Sequence, residues 1–168
     1  MTGFKKMRTL KHLLILLFLT SSVSAIAQES KLDSLTTELG KAESDTLKSS
    51  ILISMAYASK SQEDQLKYAQ EAYEIGQKVT SPKHKHRSML ALGIFYSHFD
   101  LDSAVILMKK ATQGYLDNEL MKYAVNGNYI IALTFEINNQ LDTALLYYKN
   151  AYELGLKHEV QPEYGNAA

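Results

Sequence analysis

Between residues 45 and 156 the chain repeats itself every 39 or 40 residues, and this periodicity limits the fold more than any other feature of the sequence. Ile53–Ser54, Leu92–Gly93 and Ile131–Ala132 each pair a large apolar residue with a small one, at spacings of 39 and 39. An aromatic follows three residues after each small one, as Tyr57, Tyr96 and Phe135. Gln65, Ala104 and Ala144 come next, then Ala72, Ala111 and Ala151, both sets spaced 39 and 40. Short matches keep the register: Leu101–Asp102–Ser103–Ala104 returns as Leu141–Asp142–Thr143–Ala144, and Ala72–Tyr73–Glu74–Ile75–Gly76 as Ala151–Tyr152–Glu153–Leu154–Gly155. A chain with this period stacks copies of one supersecondary unit, none of which buries its apolar face alone.

Each unit reads as two helices joined by a short turn. Helical spacing appears in Ile51, Met55 and Ala58, and again in Leu145, Tyr148, Ala151 and Tyr152. Turns are expected at Lys60–Glu63, Phe99–Asp100 and Asn138–Gln140, with Asp102 and Asp142 placed to accept the free amides of the following helix. Ser81–Pro82 is an N-cap and N1 pair. Gly93 inside a helix costs about 1 kcal/mol relative to alanine, a cost that makes sense where a neighbouring helix comes close. Ser54, Ala132 and the alanines at 72, 104, 111, 144 and 151 serve the same contact, and the aromatics are expected to fill the gap between paired helices. The units run over about 45–80, 81–116 and 117–156, with a partial unit at 157–168. Ahead of them lies a lead-in segment, 28–44, whose Leu32, Leu35 and Leu39 share one helical face and are expected to cover the first unit. An ordinary bundle with alanine-rich contacts does not explain a threefold coincidence at five positions.

The order of large-small pair, aromatic, alanine, aromatic and alanine resembles the tetratricopeptide repeat (TPR). Ile131, Ala132, Phe135, Ala144, Tyr148 and Ala151 match that spacing without a gap, whereas the first unit has Gln65 where alanine is usual. No unit keeps the usual tryptophan or closing proline, and the period exceeds the usual 34 residues. The resemblance implies an all-α fold, an α-solenoid of TPR-like helix-turn-helix repeats with three units, a lead-in helix and the start of a fourth. It also implies a concave groove lined by the first helices. By register the groove rows are Lys48, Arg87 and Asn126; Ile51, Leu90 and Tyr129; and Met55, Ile94 and Leu133. These rows serve equally well as an apolar trough with a basic edge or as packing between adjacent repeats. The polar row is too thin for the carboxylate clamp of chaperone-tail-binding TPRs.

Residues 157–168 read as the front of a fourth unit, ending about three residues before its large-small pair is due. Together with the lead-in helix and the repeat length, this resembles the periplasmic sensory half of bacterial membrane histidine kinases. In that family a transmembrane helix and a kinase or DNA-binding module follow the TPR array. Three functions stay open: an exported scaffold holding a protein or peptide in its groove, the input domain of such a kinase, or a self-assembling structural repeat protein. The stripe Leu145, Tyr148 and Tyr152 is expected to lack cover, so the fragment should self-associate through its C-terminal end or be marginally stable. A membrane enters only through a longer parent chain with a transmembrane segment.

The first 27 residues carry Lys5, Lys6, Arg8 and Lys11 and no acid, then the apolar run 13–19, then Ala25–Ile26–Ala27. This is the pattern of a cleaved secretory signal peptide, and the run is well short of the ~20 residues that span a bilayer. Export to the periplasm or medium is expected, with Gln28 as the new N-terminus. Intact-mass measurement on protein from the envelope fraction should show the loss of residues 1–27; the full-length mass in the membrane pellet would refute it. Without that segment the chain has 14 basic and 18 acidic residues, a net charge of −4, which gives nucleic acid no electrostatic footing.

The residues give no sign of catalysis or of a cofactor. There is no glycine-rich phosphate loop, H-E-x-x-H or nucleophile elbow. Absence of cysteine excludes disulfides, thiolate metal sites and cysteine nucleophiles. The one histidine cluster, Lys83–His84–Lys85–His86–Arg87, reads as a solvated face between repeats: neighbouring cations oppose a metal, and i,i+2 histidines do not share a helix face. His98 and His158 read as partly exposed or capping residues.

Overall fold

The computed structural model describes residues 30–160; residues 1–29, on which the expected signal peptide falls, and residues 161–168 lie outside the described part. Within it the chain forms seven α-helices and no strand. A helix over residues 30–41 (α1) precedes α2 (Asp45–Ala58), α3 (Gln62–Gly76), α4 (Pro82–Tyr96), α5 (Leu101–Asp117), α6 (Met121–Ile137) and α7 (Leu141–Lys157).

Side-chain caps start three of these helices. Ser44 Oγ accepts the Leu47 N–H at 3.2 Å, and Ser61 Oγ accepts that of Asp64 at 3.4 Å. Asp100 accepts both the backbone N–H and the hydroxyl of Ser103, at 3.1 and 2.6 Å. Those bonds hold the Asp100 carboxyl below the usual carboxylate range. The cap of α5 is therefore Asp100; Asp102 and Asp142 sit two residues past their caps, within the first turn, where an acid still favours the positive helix end. The expected turn at Lys60–Glu63 is also shorter, because α3 begins at Gln62. Ser81 precedes Pro82 at the start of α4, but its hydroxyl meets His84 Nδ1 at 2.9 Å instead of a backbone amide.

The ends of α5, α6 and α7 share one device. Glu119, Asn139 and Glu159 take positive φ values of 56°, 58° and 55°. The next amide then reaches back to the helix, Leu120 N–H to Tyr115 C=O, Gln140 to Phe135 and Val160 to Gly155, each at 2.9 Å. This left-handed closure satisfies carbonyls that a helix end leaves open. It turns the chain within three residues, so consecutive helices pack side by side.

Each helix from α2 onward packs on its neighbours in the chain, and α4 also touches both α2 and α6. The small residues explain the closeness. Ala69, Ala72, Ala104, Ala111, Ala124 and Ala132 have no exposed surface, and Ala144 and Ala151 have almost none. A Cβ on Gly93 would lie 2.7 Å from Met108 Cγ and 3.0 Å from the Ala104 carbonyl oxygen, so α4 and α5 meet there without room for a methyl group. Gly127 stands against Thr112 in the same way. Gln65, the departure from alanine in the first unit, donates its amide to the Ser59 carbonyl at 2.8 Å and ties α3 to the turn before it.

The core follows the chain in three linked clusters. Leu32, Leu35 and Leu39 of α1 pack on the first, around Ile51, Leu52, Ile53, Met55 and Ala72. Ala56, Ala69, Leu92 and Phe95 form the second. The third and largest joins α4 to α7 around Met108, Tyr115, Ile131 and Phe135. Phe135 stacks on Tyr147 with ring centroids 5.7 Å apart, filling the gap between α6 and α7 as the sequence implies. Tyr57 departs from that expectation: it is 44% exposed and sets its ring edge-on to Phe95 of α4, at 4.9 Å and 62°.

Candidate protein-binding cleft

The first helices α2, α4 and α6 bound a recess of about 570 Å³. The inner row of α6 supplies most of its wall, because Asn126, Tyr129, Ile130, Leu133 and Ile137 recur at helical spacing. Ile94, Ser97 and His98 come from the end of α4, and Tyr57 closes the α2 side.

Four of the nine residues placed in the groove by register come together here: Ile94, Asn126, Tyr129 and Leu133. Ile51, Met55 and Leu90 do not reach the recess; they are 5%, 2% and 6% exposed and belong to the core. The cause is positional. Helix α2 lies between α1 and α4, and α4 between α2 and α6, so their inner rows are used in packing, whereas no described first helix follows α6. Lys48 is half-buried and Arg87 exposed, and neither lines the recess.

The lining is apolar at its centre and polar at its edge, and most of the edge is already satisfied. Ser97 donates to the Ile94 carbonyl at 2.6 Å, Thr134 to Ile130 at 2.9 Å, and Asn138 to Thr134 at 2.8 Å. Asn126, also on the lining, makes no such bond among the described residues. Behind the wall, Tyr129 meets Tyr148 with centroids 5.5 Å apart, and the Tyr148 hydroxyl donates to the Glu136 carboxylate. Burial and that bond push the Tyr148 hydroxyl up to about 12, so it stays a donor at any physiological pH. None of the lining residues is acidic or carries a fixed positive charge. The recess is thus apolar at its centre, uncharged throughout, and polar only at its edge.

Ile137 is the clearest residue missed by register. It is 81% exposed and lies four residues beyond Leu133, eight beyond Tyr129, so the α6 period itself points to it. Tyr57 and His98 gave no such signal, since one matched a packing position and the other lies past the end of a helix.

The histidine cluster is less solvated than its composition suggests. Only Arg87 is exposed; His86 sets its ring against Gly114 and edge-on to Tyr115 at 5.7 Å, and Lys83 lies 5.0 Å over the Tyr123 ring. Lys83 and His86, three residues apart on one helix face, turn inward even in a run of five basic residues, because the aliphatic stem and the imidazole ring pack. Among the described residues no three His, Asp or Glu side chains converge as metal ligands, and no helix is long and apolar enough to cross a membrane.

These features define an all-helical protein with an apolar recess on one helix layer. In comparisons with known proteins no family model matches the chain, and no curated protein or solved structure matches it either.

Proposed function

We propose that α2–α3, α4–α5 and α6–α7 are three units of a TPR-like solenoid, and that the exported chain is a scaffold holding a protein or peptide segment in the recess of its first helices. Two lines of evidence support the architecture. The second helices of the pairs begin at residues 62, 101 and 141, spaced 39 and 40 like the sequence repeat. The backbones of the first helices come close in the order α2, α4, α6, while the second helices α5 and α7 meet only through long side chains, as where Lys109 lies 5.5 Å over the Tyr147 ring. That asymmetry favours a curved array with the first helices on the inner side.

The observation that carries the function is the open inner row of α6. Tyr129, Leu133 and Ile137 sit at the spacing with which a groove receives the apolar face of a helix or an extended apolar segment. Asn126 and the nearby Arg87 would set its direction. Panning a random peptide library against the protein tests this. Bound peptides should carry two or more large apolar residues, and Leu133→Asp or Ile94→Asp should weaken them at least about tenfold, roughly 1.4 kcal/mol. Glu71→Gln, on the exposed face of α3, should leave binding unchanged. Equal binding by wild type and both recess variants would remove the recess as the site.

A further inference from the structure

Helix α7 leaves Leu141, Leu145, Tyr152 and Leu156 exposed by 60, 68, 65 and 62%. At 100° per residue these four fall within one narrow stripe running about 22 Å along the helix. The corresponding positions of α5 show what such a stripe is for. Forty residues earlier stand Leu101, Val105, Thr112 and Leu116; Val105 and Thr112 are 8% and 5% exposed and the other two half-buried, with α6 packed on α5. Tyr148, which the sequence assigns to the uncovered stripe, does not belong to it; the Tyr129 ring and Glu136 draw it toward α6.

The stripe reads the same in both directions. Its spacings are four, seven and four residues, so an antiparallel copy places apolar on apolar throughout: Leu141 against the partner's Leu156, and Leu145 against the partner's Tyr152. The flank agrees with this. Asp142 lies in the first turn of α7 and Lys157 in the last, so reversal brings unlike charges and unlike helix ends together. The middle of the flank is neutralised within the helix, where Lys149 Nζ lies 3.7 Å from Glu153 Oε1. We infer that α7 is an isologous dimerisation helix whose occupant is the α7 of a second copy, packed antiparallel about a two-fold axis near Tyr148 and Lys149. A self-complementary patch of this kind closes after two subunits and gives no filament. The recesses lie on the other helix layer, so a dimer would display two of them and gain avidity for a divalent partner.

The chain contains no cysteine, which makes the register directly testable. Leu145→Cys and Tyr152→Cys proteins are prepared separately, then oxidised alone and mixed. The mixture should form a disulfide-linked heterodimer. Each alone should cross-link far more slowly, because like positions are offset by about seven residues, roughly 10 Å, along the paired helices, beyond the usual ~7 Å Cα limit of a disulfide. Light scattering on the wild type should return twice the chain mass, and Leu145→Glu/Tyr152→Glu should return one chain mass with unchanged helical circular dichroism. A monomeric wild type would overturn the proposal, as would self-linking of either single variant as fast as the mixture. Loss of peptide binding in the recess variants with the dimer intact would separate this result from the functional reading above.

Discussion

Gly93→Leu should destabilise the protein by about 3 kcal/mol or more, the upper end of what overpacking a close contact costs, and lower its melting temperature by on the order of 10 °C. Even a methyl group at this position meets Met108 Cγ at 2.7 Å and the Ala104 carbonyl oxygen at 3.0 Å. The first of these neighbours can yield, because it is the middle of a flexible side chain; the second is helix backbone and cannot move without opening the α4–α5 interface. The two are separable by a double-mutant cycle. Met108→Ala alone should cost about 2–5 kcal/mol, since Met108 has no exposed surface. Added to Gly93→Leu it should cost much less, because the leucine then occupies the vacated space, giving a coupling energy of roughly 1–3 kcal/mol. Chemical denaturation of the four proteins measures this. A Gly93→Leu protein that unfolds with the wild-type midpoint would show that α4 and α5 are not in contact at this point.

The helices and their pairing were legible because the sequence signals them twice, once by spacing within each helix and again by the repeat. Small residues at Gly93, Ala104, Ala111, Ala132 and Ala151 state where helix axes must approach, and the structure buries each of them. Helix starts were less legible. Asp100 and Asp102 are both acids near the same helix end, and only the backbone geometry decides that Asp100 accepts the Ser103 amide. The left-handed residues Glu119, Asn139 and Glu159 were not legible at all, since two of the three are glutamates, a residue type with no preference for that conformation.

The recess was legible by half for a related reason. Register along a repeat identifies equivalent positions, but equivalent positions have different neighbours. Ile51 and Leu90 occupy the same place in their units as Tyr129, yet the first two are covered by flanking helices and only the third lines open space. The neighbouring helices decide exposure, and a repeat alignment carries no information about them. The histidine run shows the converse. Its charge suggested solvent, but His86 faces Gly114, where the missing side chain leaves room for the ring.

That ring should make the fold sensitive to acid, and Tyr115 should control the sensitivity. His86 Nδ1 is buried and has no hydrogen-bond partner among the described residues, so a proton added there would bring an unsatisfied N–H into the α4–α5 interface. Burial, and then Lys85 beside it, hold the His86 pKa below the usual histidine value; Asp117 opposes them. His84 moves in the same direction through burial, Lys83 and Arg87. The folded state therefore keeps a neutral imidazole where the unfolded chain binds a proton. Stability is complete above the unfolded value of about 6.5 and falls as the pH drops from there toward the folded value. Melting temperatures taken from pH 8 down to 5.5 should decline on the acid side, and His86→Gln should reduce that decline. Tyr115 is 1% exposed and packs between His86 and Tyr123, whose ring centroid is 5.5 Å away. Tyr115→Ala should cost about 3–5 kcal/mol, as buried aromatic truncations do. It should also flatten the acid decline, because water then reaches the imidazole and its pKa returns toward the unfolded value. Tyr115→Phe keeps the ring in place and should retain the wild-type slope with a far smaller loss of stability. A wild-type melting temperature that is level across this range would show that His86 is hydrated in the folded protein. A Tyr115→Ala variant as stable as wild type would show that the α4–α5–α6 junction does not depend on the ring.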